Sequence, residues 1–341
     1  ETIAEILEDG QWDKEPRALW SDGTPAHSKF VTQKVYQYDI SKGQFPINTL
    51  RTTALKGAWY DIEAIYLKQT NIIEEMHPSI HSWWKDFTKP INYSKEYNEC
   101  IDWFKKNSII KEYITDKDKI EETEDINSLG ATYGATVKRY DLMNKLLKGL
   151  EENPFGRRHS INLNQEQQKI DAPKALQPCA FETLWSVRED YMEFDTFMPV
   201  DNVDDARIYY RYIDLTLIQR SQDYITTSSI NPAQYVMFAM MVCNHLTFKT
   251  GIKHEVGKLL HIVQNCHIYD RHLDAAKELL ERESIGLQPK IELICEPKDF
   301  YQHTIEDFKF SGLEGIEKLS NKLETKIRHF ICKELFLHQI L

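Results

Sequence analysis

Residues 217–235 read LIQRSQDYITTSSINPAQY, and the sequence on either side of this stretch has two different rhythms. Upstream, Ile213, Leu215 and Leu217 alternate with Asp214 and Thr216, the pattern of a strand buried on one face. Downstream, residues 233–246 are almost wholly apolar and read as a buried core helix. Between them stands Arg220-Ser221, a guanidinium fork beside a hydroxyl, a pair suited to a phosphate. Asn231 offers a donor and an acceptor together, as the edge of a pyrimidine requires. Phosphate at one end and base at the other point to a nucleotide. The competing reading is a polar loop after a strand.

Working outward, the 341 residues are 41% hydrophobic and 28% charged, the profile of a globular protein with a sizeable core. The net charge is −11 and there is no extended Lys/Arg run, which argues against a protein that grips a nucleic-acid polymer by its backbone. A few convergent arginines can still bind a small anion against an acidic background. Residues 1–20 lack the basic and apolar regions of a signal peptide, and the longest apolar stretch, 235–243, is too short to span a bilayer. The six cysteines (Cys100, Cys179, Cys243, Cys266, Cys295, Cys332) include no CxxC pair, against both a zinc site and a disulfide framework. The expectation is a cytoplasmic, reduced protein with no metal and no membrane partner.

Apolar spacing predicts a short helix over 2–8, a strand over 28–40 and a half-buried helix over 54–67 carrying Trp59, Ile62, Ile65 and Tyr66. Residues 86–127 are crowded with charge and read as a surface insertion with helical pieces at most. A periodic helix follows, with Tyr140, Met143, Leu146, Leu147 and Leu150 inward and Asn153-Pro154 as its stop. From Arg158 the period changes to two, giving strands at 160–163, 181–187 and 208–218, with an acidic hairpin tip at 189–206. A strand over 259–263, an amphipathic helix over 270–282 and a strand over 290–295 come next. Ile316, Leu319, Leu323, Ile327, Phe330 and Ile331 lie at helical spacing and predict a helical tail over 313–341. Helices and strands come in blocks, so the class is α+β, and one domain over 1–341 is the economical organisation.

Three further groups of residues carry chemistry. Cys179 follows a proline at the mouth of a strand; a nearby cation such as Arg220 would favour its thiolate, if their strands are neighbours. A buried structural cysteine is the commoner case. Arg157 and Arg158 lie between a helix end and a strand, either as solvated surface or as a phosphate clamp. His267 and Tyr269, two apart at a strand end, point the same way, as packing residues or as partners of one sugar hydroxyl.

ATYGA, NPFGRRH, PCAFETLW, QRSQDYITTSSINPAQY and NCHIYDRHLDAAKELLERE, in this order, resemble thymidylate synthase and its relatives, the pyrimidine hydroxymethylases. SDGTPAH near the start and EPKDFYQHTIEDFKF from Glu296 look like the synthases of bacilli and their phages. The resemblance covers about residues 10 to 310 and implies a large mixed β-sheet flanked by helices. It implies that Cys179 is the nucleophile adding to C6 of a pyrimidine nucleotide, with Arg220 and Ser221 on the 5′-phosphate. Arg157 and Arg158 would join them from the partner of an obligate homodimer, and Arg17 is a further phosphate candidate at a departing spacing. His267 and Tyr269 match the pair on the deoxyribose 3′-hydroxyl, Asp223 a residue near nucleobase and folate, and Asn231 the base reader. Asn in that place favours dUMP over dCMP. The co-substrate implied is 5,10-methylenetetrahydrofolate, with Trp83 and Tyr133 lining the folate and C5 region. The proton-relaying acid matches Asp61, shorter than the family's Glu, with Glu63 two residues on as a substitute.

The departures from the family cluster. Thr226-Thr227 replaces Leu-Gly, Ser229-Ile230 replaces Pro-Phe, Gln264-Asn265 replaces Gly-Asp, and Ala180 follows the nucleophile in place of His. The family's short apolar end is replaced by the predicted tail. Hydroxyls and amides near the site favour admitting a water to the exocyclic methylene on C5. The expectation is therefore 5-hydroxymethylation of dUMP, as in phages that replace thymine with hydroxymethyluracil, in the host cytoplasm if phage-encoded. The alternatives are thymidylate synthesis, dCMP hydroxymethylation and a non-catalytic nucleotide-binding homologue.

Overall fold

A computed structural model describes residues 1–16, 18–107, 125–166, 176–193 and 207–320, with isolated positions at 117, 119, 121, 323, 324, 328 and 329. Seven strands form the main sheet: β1 (Gln11–Trp12), β2 (Ser28–Asp39), β3 (Ser160–Asn162), β4 (Ala180–Glu193), β5 (Arg207–Gln219), β6 (Gln222–Asp223) and β7 (Lys253–Tyr269). Their order is β1-β2-β7-β5-β4-β3, with β6 beside the end of β7. Neighbours are antiparallel except where β7 meets β5 and β6, both parallel, so the sheet is mixed as expected.

The period-two pattern explains the layers. Along β5, Ile213, Leu215, Leu217 and Gln219 are buried while Asp214, Thr216 and Ile218 are less so. The register Trp185↔Leu215 and Leu259↔Leu215 continues this buried face across three strands. Upon it lies α6 (Ile230–Thr250), in which thirteen residues are buried, a helix apolar nearly all round because sheet and helices enclose it. Phe238 of α6 sets its ring edge-on to Trp185, 5.2 Å between centroids, and stacks on Tyr66 at 4.2 Å. Gly251, at φ +71°, ends the helix by donating its N–H to Thr247 O. The opposite face of the sheet is open: Val35 is 59% and Leu184 42% exposed.

Around α6 pack α2 (Leu55–Ile62), a π-helical turn at Glu63–Leu67, α4 (Gly134–Arg139) and α5 (Leu142–Glu152). Trp59, Ile62, Ile65 and Tyr66 are buried as predicted. Tyr140 is not: it is half-buried at the end of α4, one turn before the periodic residues of α5 begin. The amphipathic helices α1 (Thr2–Asp9) and α7 (Leu273–Glu281) cover the far end of β7, where Ile3, Ile6, Ala276 and Leu279 share a cluster.

Three expectations are corrected. The strand read over 259–263 runs from Lys253 to Tyr269, with a bulge between Val256 and Leu259 that interrupts the alternation. The 86–127 segment is more than helical pieces: Lys89–Ile91 pairs antiparallel with Ile126–Ser128, and α3 (Tyr93–Asn107) rises from this base, where Ile91 and Ser128 are buried. The helical tail is absent from its described part. Gly312 and Gly315 sit at φ +68° and +80°, the second within a turn at residues 314–315, and residues 316–320 run without helix or strand. Leu319 and Leu323 pack on the α1–α7 cluster, and Arg328–His329 pairs with Ala18–Leu19 as a strand. Of the hairpin tip predicted over 189–206, residues 189–193 instead continue β4; residues 194–206, the rest of the predicted tail and Arg17 lie outside the described residues.

Candidate active site

The C-terminal end of β5, the N-terminal end of β4 and the first turn of α6 converge. β4 and β5 are neighbours, Ala180↔Gln219, so Arg220 lies beside Cys179. The Arg220 N–H donates to Cys179 O at 2.9 Å, and its guanidinium donates to Pro178 O at 2.9 Å and Gln177 O at 2.7 Å. The guanidinium thus clamps the turn that presents the half-buried thiol. The Cys179 N–H donates to the Tyr133 hydroxyl at 3.3 Å. Tyr133 sits at φ +46°, a strained position for a side-chain-bearing residue, at the start of α4. Burial, reinforced by Cys179, holds its phenol well above the ordinary range, so it stays protonated.

Tyr133 meets Trp84 edge-on at 5.0 Å, and the Trp84 indole donates to Asp61 Oδ1 at 2.7 Å. Asp61 Oδ2 accepts from Gln234 Nε2 at 2.7 Å. Gln234 Oε1 accepts from Asn231 Nδ2 at 3.2 Å, and Asn231 Oδ1 accepts from Gln219 Nε2 at 3.1 Å. His261 closes the series against Gln219 Oε1 at 2.8 Å. Burial pushes the Asp61 carboxyl up from 3.8 to about 6, although both hydrogen bonds oppose the shift. It also pushes the His261 imidazole down to about 4, so His261 is neutral at pH 7. The predicted α6 begins three residues earlier than its apolar run, at Ile230, which puts Asn231 in the first turn facing this network.

The ribose candidates lie alongside. β6 pairs with β7 so that His267 stands opposite Asp223, and Asn265 N–H donates to Arg220 O at 3.2 Å. The rings of His267 and Tyr269 meet at 4.9 Å, so the two do share a side of the strand. Asp223 caps the short turn Tyr224–Thr227 by accepting from Thr226 N–H. Of the remaining candidates, Ser221 is half-buried and its carbonyl accepts from Gln219 Nε2 at 2.9 Å. Arg157 and Arg158 are exposed on the loop after α5, with no hydrogen bond or ion pair among the described residues. Glu63 is ion-paired with Lys68 at 3.2 Å, whereas Asp61 is the carboxylate inside the network. Trp83 lies against Gly57, and its neighbour Trp84 is the indole beside Tyr133.

Sequence reading missed Trp84, Gln219 and Gln234. Gln219 occupies the buried phase of an alternating strand and Gln234 interrupts an apolar run, two places where a polar residue needs a partner. The substituted positions are also informative. Thr227 Oγ1 donates to Asp223 O at 2.8 Å and Thr226 Oγ1 to the same carbonyl at 3.5 Å. Ser229 Oγ accepts from Asn48 N–H at 2.8 Å, and Asn265 Oδ1 accepts from His267 Nδ1 at 3.1 Å. Each of those four side chains thus has a partner within the protein.

A family model described as thymidylate synthase matches residues 1–325. Thymidylate synthase of Streptococcus pneumoniae is 35% identical over 320 residues, spanning 93% of this chain and 94% of the relative. That of Streptococcus thermophilus is 33% identical over 322 residues, with the same shares. In fold, the thermostable thymidylate synthase A from Bacillus subtilis superposes with a TM-score of 0.63 at 24% identity, covering 94% of this chain and 95% of that one.

Proposed function

The chain belongs to the thymidylate synthase family, and from that premise we propose that it transfers a one-carbon unit to C5 of dUMP through a covalent adduct at Cys179. Members of this family use 5,10-methylenetetrahydrofolate as co-substrate. The observation that carries the reading is the closed series of contacts from Cys179 through Tyr133, Trp84, Asp61, Gln234, Asn231 and Gln219 back to Arg220. These contacts support reading Cys179 as nucleophile, Arg220 as cation, Asn231 as base reader and Asp61 as titratable acid of one site.

In this reading Cys179 Sγ adds to C6 of the pyrimidine, and the resulting enolate attacks the one-carbon unit from C5. Arg220 and Ser221 hold the 5′-phosphate, His267 and Tyr269 the 3′-hydroxyl. Asn231 accepts from N3–H and donates to O4. Asp61, with a pKa near the working range, moves protons at the O4 side. Loss of the C5 proton releases the folate from the joined carbon. Bound tetrahydrofolate would supply the hydride that turns the exocyclic methylene into a methyl group, and expulsion of Cys179 Sγ from C6 would then free dTMP, with dihydrofolate as the other product. Asp223 and Trp83 border the folate side. A second copy of the chain covers the open sheet face around Val35 and Leu184 and lends Arg157 and Arg158 to the phosphate.

Thymidylate synthesis is favoured over 5-hydroxymethylation because the curated relatives bear that name and because the hydroxyls and amide that argued for water addition are already bonded within the protein. Incubation with dUMP and methylenetetrahydrofolate decides the product. Thymidylate with dihydrofolate is expected; hydroxymethyl-dUMP with tetrahydrofolate would transfer the assignment to the hydroxymethylase. Bound but unchanged dUMP would refute an enzyme altogether.

A further inference from the structure

We infer that Gln234 is a positioning residue that sets the choice between a 4-oxo and a 4-amino pyrimidine, by holding the Asn231 amide in one of its two orientations. The inference rests on the reading of Asn231 as the base reader and goes beyond it to what orients that amide.

An isolated Asn side chain reads both bases. With oxygen toward N3 and nitrogen toward the 4-position it matches uracil; rotated by half a turn it matches cytosine, whose N3 accepts and whose 4-amino group donates. Selectivity therefore requires that one orientation be excluded. Two anchors of fixed polarity exclude it here. At one end the Trp84 indole can only donate, and it does so to Asp61. The other Asp61 oxygen accepts from Gln234 Nε2, which turns Gln234 Oε1 toward Asn231 and admits only the Asn231 nitrogen. At the other end the Ser221 carbonyl can only accept, so Gln219 presents Nε2 both to it and to Asn231 Oδ1, at 2.9 Å and 3.1 Å. His261 supports this by donating to Gln219 Oε1. Both ends demand the same Asn231 orientation, which in the proposed reading is the one that meets uracil.

Gln234 is the link that transmits the Asp61 end. It is buried, with 3% of its surface exposed, and its two polar atoms are spent on Asn231 and Asp61, so a rotation of its amide would break both bonds. No described contact ties it to Cys179 or Arg220; because it also donates to Asp61, its effect on the reader is measured in binding and not in turnover.

The test is equilibrium binding of dUMP and dCMP without folate, where no turnover intervenes. Gln234→Met keeps the length and removes both bonds. The expected result is a narrowing of the dCMP-to-dUMP ratio of dissociation constants by about tenfold, one hydrogen bond's worth of discrimination, through weaker dUMP binding with dCMP unchanged or tighter. Gln234→Glu keeps an acceptor toward Asn231 and is expected to retain the wild-type ratio, which gives a result even if the Met variant does not fold. Equal loss for both nucleotides in Gln234→Met would mark a merely structural residue and overturn the inference, as would a narrowed ratio in Gln234→Glu. Failure of the folded wild-type protein to bind dUMP would instead overturn the reading of the site itself.

Discussion

Replacing Asp61 by Asn should alter the dependence of stability on pH more than stability at any one pH. Burial raises the Asp61 carboxyl from 3.8 to about 6, a shift of about two units. At about 1.4 kcal/mol per unit, the folded state then disfavours the ionised form by about 3 kcal/mol. The residue is buried, so solvent screening does not reduce this figure greatly. The sign follows from proton uptake. Because the folded pKa is raised, the folded state binds the proton more tightly than the unfolded chain. The contribution is complete below pH 3.8, falls away as pH rises to about 6, and is absent above it. Asparagine mimics the neutral acid and does not titrate. Asp61→Asn should therefore gain on the wild type by about 2 to 3 kcal/mol between pH 4 and pH 8, since all other groups titrate alike in both proteins. Urea unfolding followed by tryptophan fluorescence at fixed protein concentration measures the difference at each pH. A difference that stays flat within about 1 kcal/mol across that range would show that Asp61 ionises as it does in water, and would remove it as a proton reservoir. In turnover the same variant should be slow throughout, without an acidic limb near pH 6.

Cys179→Ser should abolish product formation and the mass-detectable nucleotide adduct while leaving dUMP binding within a fewfold, since the thiol is not a binding contact; surviving turnover would displace it as nucleophile. Arg220→Lys cannot serve both the Gln177 and Pro178 carbonyls, so steady-state kinetics should show a raised KM for dUMP together with a kcat lower by at least about tenfold. Trp84→Phe removes a hydrogen bond that favours the Asp61 carboxylate, so the acidic limb of the kcat/KM profile should move to higher pH. A Cβ on Gly134 would overlap the Thr70 backbone, which has no side-chain freedom to yield, so Gly134→Ala should cost about 3 kcal/mol in urea unfolding.

Much of this protein was legible because its strands obey simple alternation. Ile213 to Leu217 announced β5 and its buried face, and Met143 to Leu150 announced α5, because one side of each must meet the core. What stayed hidden depended on partners distant in sequence. The full β7 was obscured by its bulge and by Gln264-Asn265, and its parallel pairing with β5 has no local signature. The tail misled because apolar spacing records that side chains are buried and not how: Leu319 and Leu323 pack on the α1–α7 cluster, and neither position is helical. The substitutions at 226–230 looked like sites for water because a hydroxyl in sequence shows its chemistry and not its partner; the Asp223 carbonyl and the Asn48 amide claim them. Cys179, Arg220 and Asn231 were singled out by the chemistry of their motifs, whereas Gln219 and Gln234, within the same stretch, show their part only through the partners they meet in the fold.

The Arg220 guanidinium proposed to hold the phosphate is the same group that ties down the carbonyls of Gln177 and Pro178. In the proposed reading, ligand specificity and nucleophile geometry are therefore not separable modules. A variant selected to accept an uncharged nucleoside would meet a conflict at this residue: discarding the cation to relax the phosphate requirement also unfastens the cysteine. Redesign toward such substrates must first supply the Cys179 turn with another anchor, in a background where Arg220 is still present, before the anion requirement can be lifted.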